Sequence, residues 1–189
     1  QKVHILSGVI QNEWKARKWS FLLGGRFDHH NMVDHVIFSP RINLRYNPTE
    51  QINLRLNYAG GFRAPQTFDE DLHIALVGGE RVVTQLAPDL REERSNSLSA
   101  SIDLYRSFGS VETNLLVEGF YTALDHIFAT RYLPEPNEKG ETVLERYNGG
   151  GATVAGVNVE AKAAFSRWFD LQAGITWQHS RYEHAQHWS

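Results

Sequence analysis

On either side of an NPTE turn at 47–50, every second residue of the stretch 40–58 is apolar. Pro40, Ile42, Leu44 and Tyr46 alternate with Arg41, Asn43 and Arg45; after the turn, Ile52, Leu54, Leu56 and Tyr58 alternate with Asn53, Arg55 and Asn57. A period of two places successive side chains on opposite faces of a strand, so this is an antiparallel pair with one oily and one strongly polar face. Such a sheet lies between two different solvents. In a membrane barrel the apolar row meets lipid and the polar row meets a wet lumen.

Composition narrows the reading. At 189 residues with a formal net charge of −3 and a pI near 6.3, the chain has no basic field, and nucleic acid is not an expected partner. The absence of cysteine excludes disulfides, thiol catalysis and cysteine-ligated zinc. No apolar run approaches the roughly 18–20 residues of a spanning helix. A mean hydropathy of −0.42 does not argue against a barrel, whose strands dilute their lipid face by alternation.

Eight strand-like runs are expected, at 2–14, 17–28, 35–47, 51–61, 93–106, 110–122, 149–165 and 170–182. Several reach the roughly 9–11 residues that a tilted strand needs to cross a bilayer. Leu98, Ala100, Ile102 and Leu104 oppose serines and Asp103; Val157, Val159, Ala161, Ala163 and Phe165 oppose Asn158, Glu160 and Lys162; Leu171, Ala173, Ile175 and Trp177 oppose Gln172, Thr176 and Gln178. In the first run Ile5, Leu6, Val9 and Ile10 blur the two faces. Tight connections near 15–16, 47–50, 107–109 and 166–169 alternate with long ones near 29–34, 62–92 and 123–148. Short turns at one end and long loops at the other mark an outer-membrane barrel. Trp14, Trp19, Tyr46, Phe108, Phe165, Trp168 and Phe169 gather at the short-turn ends, where an interfacial girdle belongs. All nine histidines fall at or near the long-loop ends. Both termini lie inside the pattern, which suggests a piece of a longer chain.

The stretch SPRINLRYNPTEQINLRLNYAG running into GFRAP (61–65) resembles the TonB-dependent outer-membrane receptors. In the same order, PDLREERSNSLS (88–99), VEGFYTALDHIF (117–128) and YNGGGATVAGVNVEAKAAF (147–165) are similar to later strands of that family, and the resemblance spans roughly residues 35–182. Asn158 and Val159 depart from the family's more direct Gly-Val-Glu, a harmless change on a strand. The resemblance implies an all-β antiparallel meander of about eight long strands, a segment of a roughly 22-stranded transmembrane β-barrel. Residues 1–189 would then be a partial barrel in the bacterial outer membrane, contacting the lipid bilayer. It implies import of a small-molecule nutrient (ferric siderophore, haem, cobalamin or glycan). Energy would come from TonB through a plug domain absent from this chain. With its lumen row of Arg41, Arg45, Arg55, Glu118, Glu160 and Lys162, the segment is expected to form a curved open sheet. A soluble β-sandwich or β-propeller binding module is the alternative; it needs protein to cover the apolar rows.

The ligand-binding candidates are loop residues: His29, His30, His35, Arg63, His126 and Arg131. Imidazole is a common metal ligand, but no full ligand set appears at a recognisable spacing, so no metal site, cofactor or catalytic residue is expected. In GFRAP, Gly60, Gly61 and Pro65 read as structural, while Arg63 suits a loop carboxylate or an anionic ligand. Asp69, Glu70 and Asp71 read as a solvated acidic run. Gly149-Gly150-Gly151 leads into a strand and is no phosphate loop. PEPNEKG (134–140) reads as an ordinary loop.

Overall fold

The computed structural model describes residues 4–31, 33–65, 82–166 and 169–183. In chain order its strands are β1 (Ile5–Ala16), β2 (Trp19–His30), β3 (Val36–Thr49), β4 (Ile52–Arg63), β5 (Val82–Leu86), β6 (Glu93–Phe108), β7 (Val111–Asp125), β8 (Phe128–Tyr132), β9 (Thr142–Asn148), β10 (Ala152–Ser166) and β11 (Phe169–Tyr182). The eight long strands form one sheet in the order β1-β2-β3-β4-β6-β7-β10-β11, every neighbouring pair antiparallel. These are the eight expected runs, and β1 and β11 are the sheet's two edges.

Register turns the sequence alternation into continuous rows. One rung runs Trp19–Tyr46–Leu54–Ile102–Val117–Val159–Ile175 across seven strands, apolar throughout. The neighbouring rung runs Ser20–Arg45–Arg55–Ser101–Glu118–Asn158–Thr176, and it is polar throughout. A one-residue slip anywhere would exchange the two faces, so the alternation itself pins the register. On the polar face the side chains bond one another. Asn43 donates to Asn57, Asn57 Nδ2 donates to Ser99 Oγ at 3.2 Å, and the Ser97 and Thr122 hydroxyls lie 2.9 Å apart. On the apolar face Ile175 and Trp177 are 70% and 71% exposed, so the oily row is an outer wall and not a shared core. Among the described residues no second layer covers that row, whereas the soluble β-sandwich or β-propeller alternative requires one. The polar face is less uniform on β7, where Leu116 and Phe120 share it with Glu118.

The connections between β1 and β2, β3 and β4, and β6 and β7 are each two residues long, at 17–18, 50–51 and 109–110. Arg17 (φ 43°) and Gly109 (φ 63°) supply the left-handed conformation that tight hairpins require. Outward-row aromatics stack at this end of the sheet, Trp14 with Phe21 at 5.7 Å and Trp19 with Tyr46 at 4.1 Å, while Phe165 and Phe169 at the ends of β10 and β11 meet at a tilt, 5.5 Å apart. Trp168 lies outside the described residues.

Two expectations are corrected. The 29–34 connection is not long: β2 continues through His30, leaving only 31–35 between strands. The two remaining long connections are not plain loops, because they carry β5, β8 and β9, which form a second sheet in the order β5-β9-β8. Residues 134–140 form the tip of the β8–β9 hairpin. There the Asn137 side chain accepts from the Lys139 and Glu141 amides at 3.0 and 2.9 Å. The buried apolar side chains (among them Val33, Ile37, Ala64, Ala87, Ile127 and Val143) all belong to this long-connection end.

Candidate functional site

His35 immediately precedes β3 and Glu92 immediately precedes β6, the two strands that flank β4. Their side chains meet across the end of β4. The Glu92 carboxylate, 7% exposed, accepts from Arg94 (Nη2 at 2.7 Å, Nε at 2.9 Å) and lies 3.2 Å from His35 Nε2. Arg94 Nη2 is also 3.3 Å from His35 Nε2. Burial alone would push the Glu92 carboxyl up; hydrogen bonding and charge from Arg94 outweigh it, and its pKa falls below the ordinary glutamate value of 4.5. These three residues, with Val33, Asp34, Leu90, Arg91 and His126, line a cleft of about 560 Å³.

Asn148, the last residue of β9, fixes the cleft's far side. It accepts from the Arg91 amide at 2.8 Å, and its Nδ2 donates to the carbonyls of Arg91 and His126 at 3.1 and 2.6 Å. His126 sits at φ 56°, outside the usual range for a non-glycine residue, which turns the chain sharply from β7 toward β8.

A second polar group lies alongside. Arg63 Nη1 is 3.6 Å from Glu93 Oε2, and the Phe128 amide donates to the other Glu93 oxygen. The guanidinium groups of Arg63 and Arg146 stand 5.6 and 5.5 Å from the centre of the Phe128 ring, within cation–π range. On the hairpin, Arg131 makes a two-nitrogen contact with Glu145 (2.6 and 2.7 Å) and lies 4.7 Å from the Tyr147 ring centre.

Of the six sequence candidates, His35 and His126 share the cleft. Arg63 joins Glu93 beside it, and Arg131 belongs to the hairpin. His29 and His30 stand in the strand, on opposite faces: His29 is exposed and His30 wholly buried. The His29–His30–His35 grouping is therefore not brought together as a cluster. Among the described residues no group of three or more His, Cys, Asp or Glu side chains is placed to hold a metal ion. The acidic run Asp69–Asp71, with His73, His184 and His187, lies outside the described residues. Sequence reasoning missed Glu92, Arg94, Arg146, Phe128 and Asn148; the dense charge of the REER run Arg91-Glu92-Glu93-Arg94 was the available signal. Chemically the cleft offers imidazoles and guanidinium beside a buried carboxylate, a surface for holding an anionic or metal-bearing ligand reversibly. It presents no paired nucleophile and base.

Comparison with known proteins fits this geometry. Residues 6–187 match the family model described as TonB dependent receptor-like, beta-barrel. In the solved siderophore receptor PirA from Pseudomonas aeruginosa, the similarity covers 96% of this chain and 35% of that one (TM-score 0.76, 14% identity). The FrpB iron transporter from Neisseria meningitidis gives a TM-score of 0.72 at 15% identity, covering 95% of this chain and 26% of that one. A curated relative, the probable hemoglobin and hemoglobin-haptoglobin-binding protein 3 of Haemophilus influenzae, is 22% identical over 147 residues. That match spans 76% of this chain and 13% of the relative.

Proposed function

Because this chain belongs to the TonB-dependent receptor β-barrel family, we propose that it builds part of the wall and outer rim of a bacterial outer-membrane importer for an iron-bearing small molecule, a ferric siderophore or haem. The family and its solved relatives are receptors and transporters, not enzymes. The observation that carries the reading is the unbroken apolar rung from Trp19 to Ile175 beside an equally unbroken polar one. A wall with hydrocarbon outside and water inside makes use of both. Residues 1–189 are then a partial barrel, with the remaining strands and a plug domain contributed by the rest of the receptor. TonB acts through that plug.

Iron is favoured as the cargo class by the relatives named above, among which cobalamin and glycans have no counterpart. Capture falls to the long-connection end, in the cleft of His35 and His126 and along the adjoining Arg63 and Arg131. His29 and His30, which end β2 facing opposite ways, border this rim. The test is ligand binding by the full-length receptor, comparing haemin with ferric siderophores by intrinsic fluorescence quenching. A His35→Ala/His126→Ala variant is expected to lose about tenfold in affinity for the cognate ligand, about 1.4 kcal/mol. Unchanged affinity and unchanged iron uptake would remove the cleft from the transport path.

A further inference from the structure

Between the apolar rung that ends at Ile175 and the short turns, the register leaves one charged side chain on the outward face of the described strands. It is Arg106, which follows Ile102 and Leu104 along the outward row of β6 and precedes Phe108. Arg106 is exposed, and among the described residues no carboxylate lies within ion-pair distance of its guanidinium. A cation on the lipid face of a barrel is unfavourable unless water or an anion meets it. Arg106 stands three residues before Gly109 of the turn, about 10 Å along the strand, a depth suited to lipid headgroups.

The same face is hollow beside it. Arg106 borders an outward groove of about 490 Å³ whose lining is almost wholly apolar. Two rungs build it: Leu104–Leu115–Ala161–Ala173, and Arg106–Thr113–Ala163–Leu171. Alanines at 161, 163 and 173 keep the floor low, while Leu104 and Phe108 stand on one side and Leu171 on the other. The groove spans β6, β7, β10 and β11, about 14 Å at strand spacing.

We propose that this groove seats an acyl chain of an anionic phospholipid of the leaflet at the short-turn side, with the lipid phosphate on Arg106. The inference rests on the reading of the outward face as a lipid-facing wall. Charge complementarity selects an anion, and guanidinium matches phosphate with paired donors. The apolar floor selects a hydrocarbon chain joined to that anion. A protein segment seated there would carry unpaired backbone groups into hydrocarbon, which a lipid does not.

Photo-cross-linking of the full-length receptor in phosphatidylcholine vesicles tests this. The probe is a trace of phosphatidylglycerol with a diazirine in one acyl chain, and linked peptides are read by mass spectrometry. Adducts on 113–115, 161–163 and 171–173 are expected to exceed those on the outward rows of β3 and β4. Arg106→Gln should lower this excess about fivefold, the effect of one basic side chain at an anionic surface. Arg106→Lys should restore most of it. Ala163→Phe fills the groove with Arg106 in place, and adducts on 113–115 and 171–173 should fall by a similar factor. Equal labelling of wild type and Arg106→Gln would overturn the proposal, since an arginine that only snorkels to water gives that result. A loss in Arg106→Gln without one in Ala163→Phe would leave headgroup attraction with no seated chain, and overturn it equally. So would a receptor dimer, seen by analytical ultracentrifugation, that Ala163→Phe dissociates, because the face would then belong to a second copy. The lipid-facing reading has its own readout. An Ile175→Cys variant labelled there by a lipid-soluble but not a water-soluble thiol reagent keeps that reading intact even when the lipid site fails.

Discussion

Glu92 joins two connections that are far apart in sequence, holding Arg94 and His35 through one buried carboxylate. Replacing it with glutamine keeps the shape and removes the charge, leaving Arg94 without its strongest acceptor. Glu92→Gln is expected to cost about 1–3 kcal/mol of local stability, the range for a hydrogen bond to a charged group. Hydrogen exchange at 33–37 and 90–94 in the full-length receptor would report it. The pH dependence has a defined sign. Because the folded carboxyl titrates below 4.5, its stabilisation is complete above that value and is lost as pH falls through the lower folded one. Wild-type protection of these segments should therefore drop when pH is lowered below about 4, the ordinary carboxylate range. Glu92→Gln should be low at both pH values and flat between them. Histidines and Arg63 were legible as candidates from composition and position alone. Glu92 was not, because its meeting with His35 is created by the β3–β4–β6 register, which brings together residues 57 positions apart.

At the scale of elements, what could be read was what alternated. β3, β4, β6, β10 and β11 each alternate apolar and polar side chains every second residue, and their existence followed directly from the sequence. β5, β8 and β9 have five, five and seven residues, too few for a period of two to stand out from the flanking sequence. The parallel pairing of β5 with β9 is also a long-range contact that no local pattern announces. The join between β7 and β10 shows what the alternation leaves out. Gly156 faces Phe120 across the ladder, and a Cβ there would stand 2.7 Å from the Phe120 ring and 2.5 Å from the Trp177 carbonyl oxygen. The ring can rotate away; the β11 backbone cannot. Gly156→Val should thus destabilise the barrel by about 1–3 kcal/mol, as overpacking does. Adding Phe120→Ala should not rescue it, because the carbonyl contact persists. The heat at which the detergent-extracted receptor loses its folded electrophoretic mobility measures both variants.

Across the whole molecule, the apolar rung does not stay at one height. Trp19 opens β2 beside its turn, Leu54 lies near the start of β4, and Ile175 stands midway along β11. A row perpendicular to the strands that climbs from turn end to mid-strand is what tilted strands produce when a sheet rolls into a barrel. The tilt also explains why the turn-end aromatics Trp19 and Tyr46 share a rung with Ile102 and Ile175: in the proposed membrane setting the rung would start at the interface and enter the hydrocarbon. Depth along the rung then sets the cost of a charge. Arginine at a barrel's bilayer midplane costs about 2–4 kcal/mol, falling to about 0–1 near the interface. Ile102→Arg and Ile175→Arg should fall in the upper range and Trp19→Arg in the lower, apart from the lost stacking on Tyr46. Ser101→Arg, one residue along β6 on the polar face, would stand between Arg55 and Glu118, whose opposite effects on it offset, so stability should change by no more than about 0.5 kcal/mol. Urea titrations of the full-length receptor folded into lipid vesicles give all four values. If Ser101→Arg proves as damaging as Ile102→Arg, the two faces do not meet different solvents, and the barrel assignment of this wall is lost.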